Sequence, residues 1–252
     1  NELRDFRLGG AELGSEEKSG FRQILEKLAG LSSKFNDNVL DATNAFELIV
    51  ADRQRLAGIP GDVLESARNA AEQAGKQGWK FTLHMPSYLP VMQYADDREL
   101  REQMYYAYAT RAAEFGESGW DNTATIVEIL QLRRSQSRLL GLRSFAELSL
   151  LPKMADSPQQ VLDFLDELAK RARPYAQHDL AELKDFSSRQ LGFDDLQAWD
   201  VAYASEKLRI ARYAFSDQEV KQYFPEHQVL EGMFRVVENL YGLQIKPDDA
   251  TR

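Results

Sequence analysis

The stretch 198-AWDVAYASEKLRIARYAFSDQEVKQYFP-225 decides the fold, because it joins two blocks of helical sequence. It opens with the spacing of a helix start. Asp200 is placed to cap the free amides of a first turn, Trp199 lies just outside, and Tyr203 lies one turn in. Further on, Ser216-Asp217-Gln218-Glu219 has the pattern of a capping box. It predicts a short helix that Tyr223-Phe224-Pro225 ends.

An amphipathic helix is predicted after this stretch, from Pro225 to Tyr241. Leu230, Phe234 and Val237 lie on one of its faces, and Gly242 supplies a stop signal. Because this helix lies where the piece of chain ends, we expect its apolar face to be an interaction surface.

The sequence before the stretch begins with a very long helical pattern, from Ser15 to about Val50. Its apolar residues recur every seven positions, at Phe21, Leu28, Phe35, Ala42 and Ile49. This period predicts one long helix that pairs with other long helices at a shallow angle. The poor helix formers Asn36-Asp37-Asn38 indicate a local bend or a polar contact within it.

One run has the alternation of a half-buried strand, from Trp79 to His84. Met85-Pro86 stops it, and Pro86 to Pro90 is predicted to be a turn. Its strand partner is either Leu243-Gln244-Ile245-Lys246 or sequence outside this chain.

Three further helix starts are signalled by capping residues, at Asp96-Asp97, at Asp121 and at Ser157-Pro158-Gln159-Gln160. The predicted core-facing residues of the first two helices are Leu100, Met104, Ala107 or Tyr108, and Phe115, then Ile126, Ile129, Leu130 and Leu140. The second helix is predicted to end at Gly141. The third continues to about Leu191, with either a kink or two abutting helices near Arg171 to Pro174.

Tyrosines surround the helix that begins at Asp96-Asp97. Tyr105 and Tyr106 either line a peptide-binding channel or span the boundary between core and solvent, and the sequence leaves both open.

Composition bounds the function. The chain has 252 residues, 43% of them hydrophobic, which is ordinary for a globular protein. Its net charge of −9 disfavours nucleic-acid and anionic-membrane partners. The absence of cysteine excludes disulfides and thiolate metal sites, and it is compatible with a cytoplasmic location. No apolar run approaches the length of a membrane span.

Because the chain begins at Asn1 rather than methionine, we expect it to be a segment of a longer protein.

Several short motifs, in the same order along the chain, resemble the thimet-oligopeptidase-like family of zinc metallopeptidases. Besides Trp199-Asp200-x-x-Tyr203 and Tyr223-Phe224-Pro225, they are Leu3-Arg4-Asp5-Phe6 with Gly9-Gly10, Phe35 to Thr43, Pro86 to Met92, Met104 to Tyr108 with Arg111-Ala112, Trp120-Asp121-Asn122 and Lys153-Met154-Ala155. Together they cover nearly the whole chain. One departure from the family pattern is Ala204, where members often carry a second aromatic residue.

The resemblance implies a zinc peptidase that cuts short peptides inside a deep channel, with His-Glu-x-x-His as its metal motif. This chain lacks that motif. Its histidines, His84, His178 and His227, are far apart in sequence, and pairs such as His178/Glu182 and His227/Glu231 do not make a zinc site. We therefore expect no catalytic and no metal residue in this chain, and its substrate-binding residues are unknown.

The expected fold is all-α with a minor short-strand element, on the order of eight to ten helices, as part of a two-lobed helical peptidase. Residues 1–252 are predicted to form one continuous helical segment without an internal boundary. As an inactive piece it would form channel wall and scaffold, and its parent would hold zinc. Its expected partners are short peptide substrates, the remaining half of its own chain and, for the isolated piece, a second copy of itself.

A different class of function fits the same patterns. Amphipathic helices with acidic charge are equally typical of a helical scaffold or adaptor that binds a peptide or a partner helix in a groove. A His-Glu-x-x-His motif downstream of Arg252 in the parent reading frame would decide for the peptidase.

Overall fold

A computed structural model describes residues 2–116, 118–214 and 217–246 of the chain. Over this part the fold is nearly all helical with one two-stranded sheet, as predicted. The elements are α1 (Glu2–Leu8), α2 (Ser15–Ala45), β1 (Leu48–Val50), α3 (Gly61–Gln73), β2 (Trp79–Phe81), α4 (Met85–Tyr94), α5 (Arg98–Ala109), α6 (Thr123–Leu139), α7 (Phe145–Leu150), α8 (Pro158–Phe186), α9 (Val201–Tyr213), α10 (Asp217–Lys221) and α11 (Glu226–Tyr241). None of the described helices is both long enough and apolar enough to cross a membrane.

The long helix α2 is confirmed, although it ends at Ala45 rather than near Val50. Its 31 residues span roughly 46 Å at 1.5 Å per residue, and its main packing partner is α6. The polar contact predicted at 36–38 is present, because the Asn38 side chain is buried and donates from Nδ2 to Oδ1 of Asn122 over 2.9 Å.

The predicted strand is present as β2, although it ends at Phe81 rather than at His84, and its predicted partners are wrong. β2 pairs antiparallel with β1 of the same chain, in the register Leu48 with Phe81 and Val50 with Trp79, and residues 243–246 form no strand. The seven-residue pattern of α2 continues as far as Ile49, and this continuation concealed the strand. The sheet lies against α3, and its buried Val50 and Phe81 belong to the main hydrophobic core.

The turn predicted at Pro86 to Pro90 is wrong, because these residues lie inside α4. Pro86 is in the first turn, where no amide donor is needed. Pro90 lies inside the helix, and the neighbouring Tyr88, Val91 and Met92 are buried in the core. The burial of these side chains offsets the cost of the missing backbone bond.

The start of α5 is confirmed, since the Asp97 carboxylate accepts from the amide of Leu100 over 3.0 Å. Leu100 and Met104 are fully buried as expected. Phe115, by contrast, lies beyond the end of α5 and is 65% exposed, so its predicted place in the core is wrong.

The N-cap residue of α6 is Asn122, one position after the predicted Asp121, although the Asp121 carboxylate accepts from both the amide and the hydroxyl of Thr123. Gly141 follows the end of α6, as predicted, with a φ of 75°. Its predicted core face is partly wrong. Ile126 and Leu130 are exposed, and with Phe35 of α2 they line a surface cleft.

The helix α8 starts at the predicted cap, with the Ser157 hydroxyl accepting from the amide of Gln160. It runs through Pro174 as one helix, so the alternative of two abutting helices is wrong. A π-helical turn, Ser187–Leu191, extends it to the predicted end.

The last part of the chain follows the predicted order of helices. α10 is short, and Ser216, its predicted cap, lies outside the described residues. α11 ends where predicted, because Gly242 follows it with a φ of 65° and donates its amide to the carbonyl of Glu238 over 2.9 Å. No side chain of α11 is buried, so its apolar face is open to solvent in this chain.

Candidate functional site

The carboxylate of Asp200 is the centre of a buried charged cluster at the junction of α5 and α9. Asp200 and Arg101 are both fully buried. Nη2 of Arg101 donates to Oδ1 of Asp200 over 2.7 Å, and Nη2 of Arg98 donates to Oδ2 over 2.7 Å. The amide of Gln197 completes the set, donating to Oδ2 over 3.0 Å. One carboxylate therefore binds two arginines from the first turn of α5.

Arg101 connects three elements. Besides Asp200, its guanidinium donates to the carbonyls of Ala95 and Trp199, over 2.6 and 3.3 Å. These carbonyls belong to the end of α4 and to the 3₁₀ turn Ala198–Asp200 that leads into α9. A buried arginine with all of these acceptors is satisfied, and it holds α4, α5 and the start of α9 together.

The pKa of Asp200 is lowered despite its burial. Burial alone raises the pKa of a carboxyl group, but the hydrogen bonds from Arg98 and Arg101 outweigh it. Asp200 is therefore ionised at neutral pH. It is not suited to act as a general acid or base, since its proton is bound only in acid.

The ring of Tyr203 packs against the Arg101 guanidinium, whose central carbon is 4.1 Å from the centre of the ring. The Tyr203 hydroxyl donates to Oδ1 of Asp96 over 2.7 Å, and Lys207 pairs with the same oxygen at 3.3 Å. Burial and the bond to Asp96 raise the pKa of Tyr203, so it remains a neutral donor.

The sequence analysis singled out Trp199, Asp200 and Tyr203, but the capping role that it predicted for the Asp200 side chain is wrong. Asp200 does not cap α9 through its side chain, because its oxygens are taken by Arg98, Arg101 and Gln197. Trp199 packs beside Tyr105, with ring centres 6.1 Å apart. Sequence reasoning missed Arg98 and Arg101 altogether. Their only signal was two arginines three positions apart in a helix whose other face is apolar.

A second feature is a surface cavity of about 410 Å³ between the end of α2 and the segment after α5. Its apolar walls include Phe46, Leu83, Tyr106 and Trp120, and Arg111 lines its rim. Of the tyrosines of α5, only Tyr106 lines this cavity. Tyr105 packs on Trp199, and Tyr108 stacks on Tyr88 with ring centres 4.3 Å apart.

The three histidines lie on different elements of the fold. His84 is exposed at the start of α4, His178 lies on α8 and His227 on α11. Within residues 2–116, 118–214 and 217–246, no group of three or more His, Asp or Glu side chains could hold a metal ion. The residues described do not form a zinc site.

This helical chain belongs to peptidase family M3. The model of that family, described as "Peptidase family M3", matches residues 91–251, which include Arg98, Arg101, Asp200 and Tyr203.

The chain is also similar to individual proteins over nearly its whole length. It is 45% identical over 97% of its length to oligopeptidase A of Haemophilus influenzae, and 45% identical over 98% of its length to oligopeptidase A of Escherichia coli. It is 32% identical over 94% of its length to dipeptidyl carboxypeptidase of Salmonella typhimurium. The matched region is 36%, 36% and 35% of these relatives, respectively. The chain therefore spans about a third of the length of the curated relatives it matches.

Proposed function

We propose that this chain is a non-catalytic helical segment, forming channel wall and scaffold, of a longer zinc metalloendopeptidase that cleaves short peptides. Membership of peptidase family M3 supports the proposal that the longer protein is a peptidase, and it favours a peptidase over the alternative of a helical adaptor. The similarity to much longer oligopeptidases supports the view that other parts of the protein carry the chemistry.

The observation that carries the scaffold role is the exposure of α8. Every residue from 162 to 181 is exposed, over five turns of helix. Large apolar side chains occur throughout this part: Leu162, Phe164, Leu165, Leu168, Tyr175 and Leu180. An amphipathic helix gains most of its stability from packing of its apolar face. We infer that the remainder of the longer protein covers α8.

Zinc and the catalytic residues belong, in this proposal, to the part of the protein outside these 252 residues. The described residues do not fit a zinc site, so we assign them no step of the reaction. A cytoplasmic location of the parent protein, with which the absence of cysteine is compatible, stays a prediction.

Hydrogen exchange tests the scaffold role. The amides of residues 162–181 are expected to exchange more slowly in the longer protein than in this chain alone, because covering α8 suppresses its local opening. The helix α5, whose Leu100, Arg101 and Met104 are buried, is the internal control and should change little. At a concentration where the isolated chain is monomeric, equal exchange of α8 in both proteins would show that the longer protein does not cover it.

A further inference from the structure

The cavity beside α5 has a rim cation with unused hydrogen-bonding capacity. The Arg111 guanidinium lies over the Tyr108 ring, with its central carbon 3.7 Å from the ring centre. Arg111 is half-buried, and no carboxylate of the described residues forms an ion pair with it. Stacking holds the guanidinium plane in place and leaves its N–H donors available to a ligand.

The backbone next to Arg111 is held in place by hydrogen bonds through Asn122. Ala112 has a φ of 54°, a conformation that residues other than glycine rarely adopt. Its carbonyl accepts from the amide of Asn122 over 3.1 Å. The side chain of Asn122 is buried and bonded to Asn38 and to the carbonyl of Phe35. The long helix α2 therefore anchors the segment that presents Arg111.

Most of the other residues that line the cavity are apolar or aromatic. They include Phe46 and Leu83 and the aromatic residues Tyr106 and Trp120. Among the described residues that line it, Glu47 is the one carboxylate, and it is paired with Lys76 and Lys80. A volume of about 410 Å³ lies within the usual range for small-molecule sites. The cavity thus combines space for an apolar side chain with one cation at its edge.

We propose that this cavity binds the carboxyl-terminal residue of a peptide. Its carboxylate would accept hydrogen bonds from the Arg111 guanidinium, a pairing with matched planar geometry. Its apolar or aromatic side chain would lie between Phe46, Tyr106 and Trp120. This inference rests on the proposed function, since peptides are the ligands that a peptidase meets, and it adds the part of the peptide that this chain recognises.

Isothermal titration of the 252-residue chain tests the site with two probes, N-acetyl-Ala-Phe and its carboxamide. The acid should bind about tenfold or more tightly than the amide, because only the acid carries the charge that Arg111 recognises. Arg111→Gln should remove this difference. Tyr106→Ala should weaken both probes and preserve the ratio between them.

Arg53→Gln is the matched control, because Arg53 is exposed and lies outside the cavity. It should bind both probes as the unmodified chain does. Circular dichroism should show each variant folded, and Tyr106→Ala provides a second readout if Arg111→Gln is not.

Equal binding of acid and amide would overturn the proposal, as would an acid preference that survives Arg111→Gln. Absence of saturation by the acid at millimolar concentration would overturn it as well. None of these results bears on the exchange of α8, so this site and the scaffold role can fail separately.

Discussion

Asp200 is the residue on which the α5–α9 junction depends. Asp200→Asn removes the charge that balances Arg98 and Arg101, and it leaves Arg101 buried without its anion. Loss of one member of a buried ion pair costs about 3–5 kcal/mol. We expect a fall of this size in the free energy of unfolding, measured by urea denaturation.

Asp179→Asn is the control for that change of charge, since Asp179 is exposed on α8. Its effect should stay within about 0.5 kcal/mol. A similar small effect for Asp200→Asn would show that the buried cluster contributes little to stability.

The pH dependence of the cluster follows from the lowered pKa of Asp200. The unfolded carboxyl group has a pKa of about 3.9, and the folded value is lower. The stabilisation is therefore complete above the unfolded pKa, and it is lost as pH falls through the folded pKa. Below about pH 4, Asp200→Asn should flatten the decline of stability with acid that the unmodified chain shows.

Glu47 offers a direct measurement of a shifted pKa. Hydrogen bonds from Lys76 and Lys80 lower the pKa of Glu47 to about 2. The carboxyl carbon of Glu47 should titrate near this value by nuclear magnetic resonance, and Lys76→Ala with Lys80→Ala should return it toward its ordinary range. An ordinary pKa in the unmodified chain would show that the lysines do not bind Glu47 in solution.

The partners in these clusters could not have been predicted from sequence. Arg98 and Asp200 are 102 positions apart, and Asn38 and Asn122 are 84 positions apart. A pattern of local spacing shows that Asp200 begins a helix, but it carries no information on which distant donor its oxygens meet. Only the packing of α5 against the start of α9 decides that.

At the scale of elements, capping and periodicity predicted most helices. The starts of α5 and α8 follow their Asp and Ser caps, since a cap acts within one turn. The pattern failed at β1 and α4. Phe46, Leu48 and Val50 alternate as a strand does, yet Ile49 also continues the stripe of α2, so the two periods overlap there. In α4, two prolines that usually indicate a turn lie within a helix, because the side chains beside them are buried in the core.

Pro174 gives the element-scale prediction. It lies in the interior of the exposed helix α8, where proline removes a backbone bond and costs about 3 kcal/mol relative to alanine. Pro174→Ala should slow hydrogen exchange of the amides around residues 170–178. Pro158→Ala is the control, because Pro158 stands at the first position of α8, where proline is favourable. Faster exchange after Pro174→Ala would contradict this account.

At the scale of the whole molecule, the isolated chain is expected to self-associate through its exposed apolar faces. Leu168 on α8 is 52% exposed and Phe234 on α11 is 39% exposed. Burial of apolar area yields about 25 cal/mol per Å², and a patch of a few hundred Å² normally marks an interaction surface. Part of this gain is offset by the entropy of association.

Leu168→Lys and Phe234→Lys should each weaken that association without unfolding the chain, because both side chains already reach solvent. Analytical ultracentrifugation at high micromolar concentration measures the association, and circular dichroism checks the fold. Leu183→Lys is the contrasting variant, since Leu183 is buried where α8 approaches its end, and it should destabilise the fold itself. A strict monomer would contradict the expectation. So would collapse of the fold in Phe234→Lys, because it would place that face in the core of this chain rather than on an interface.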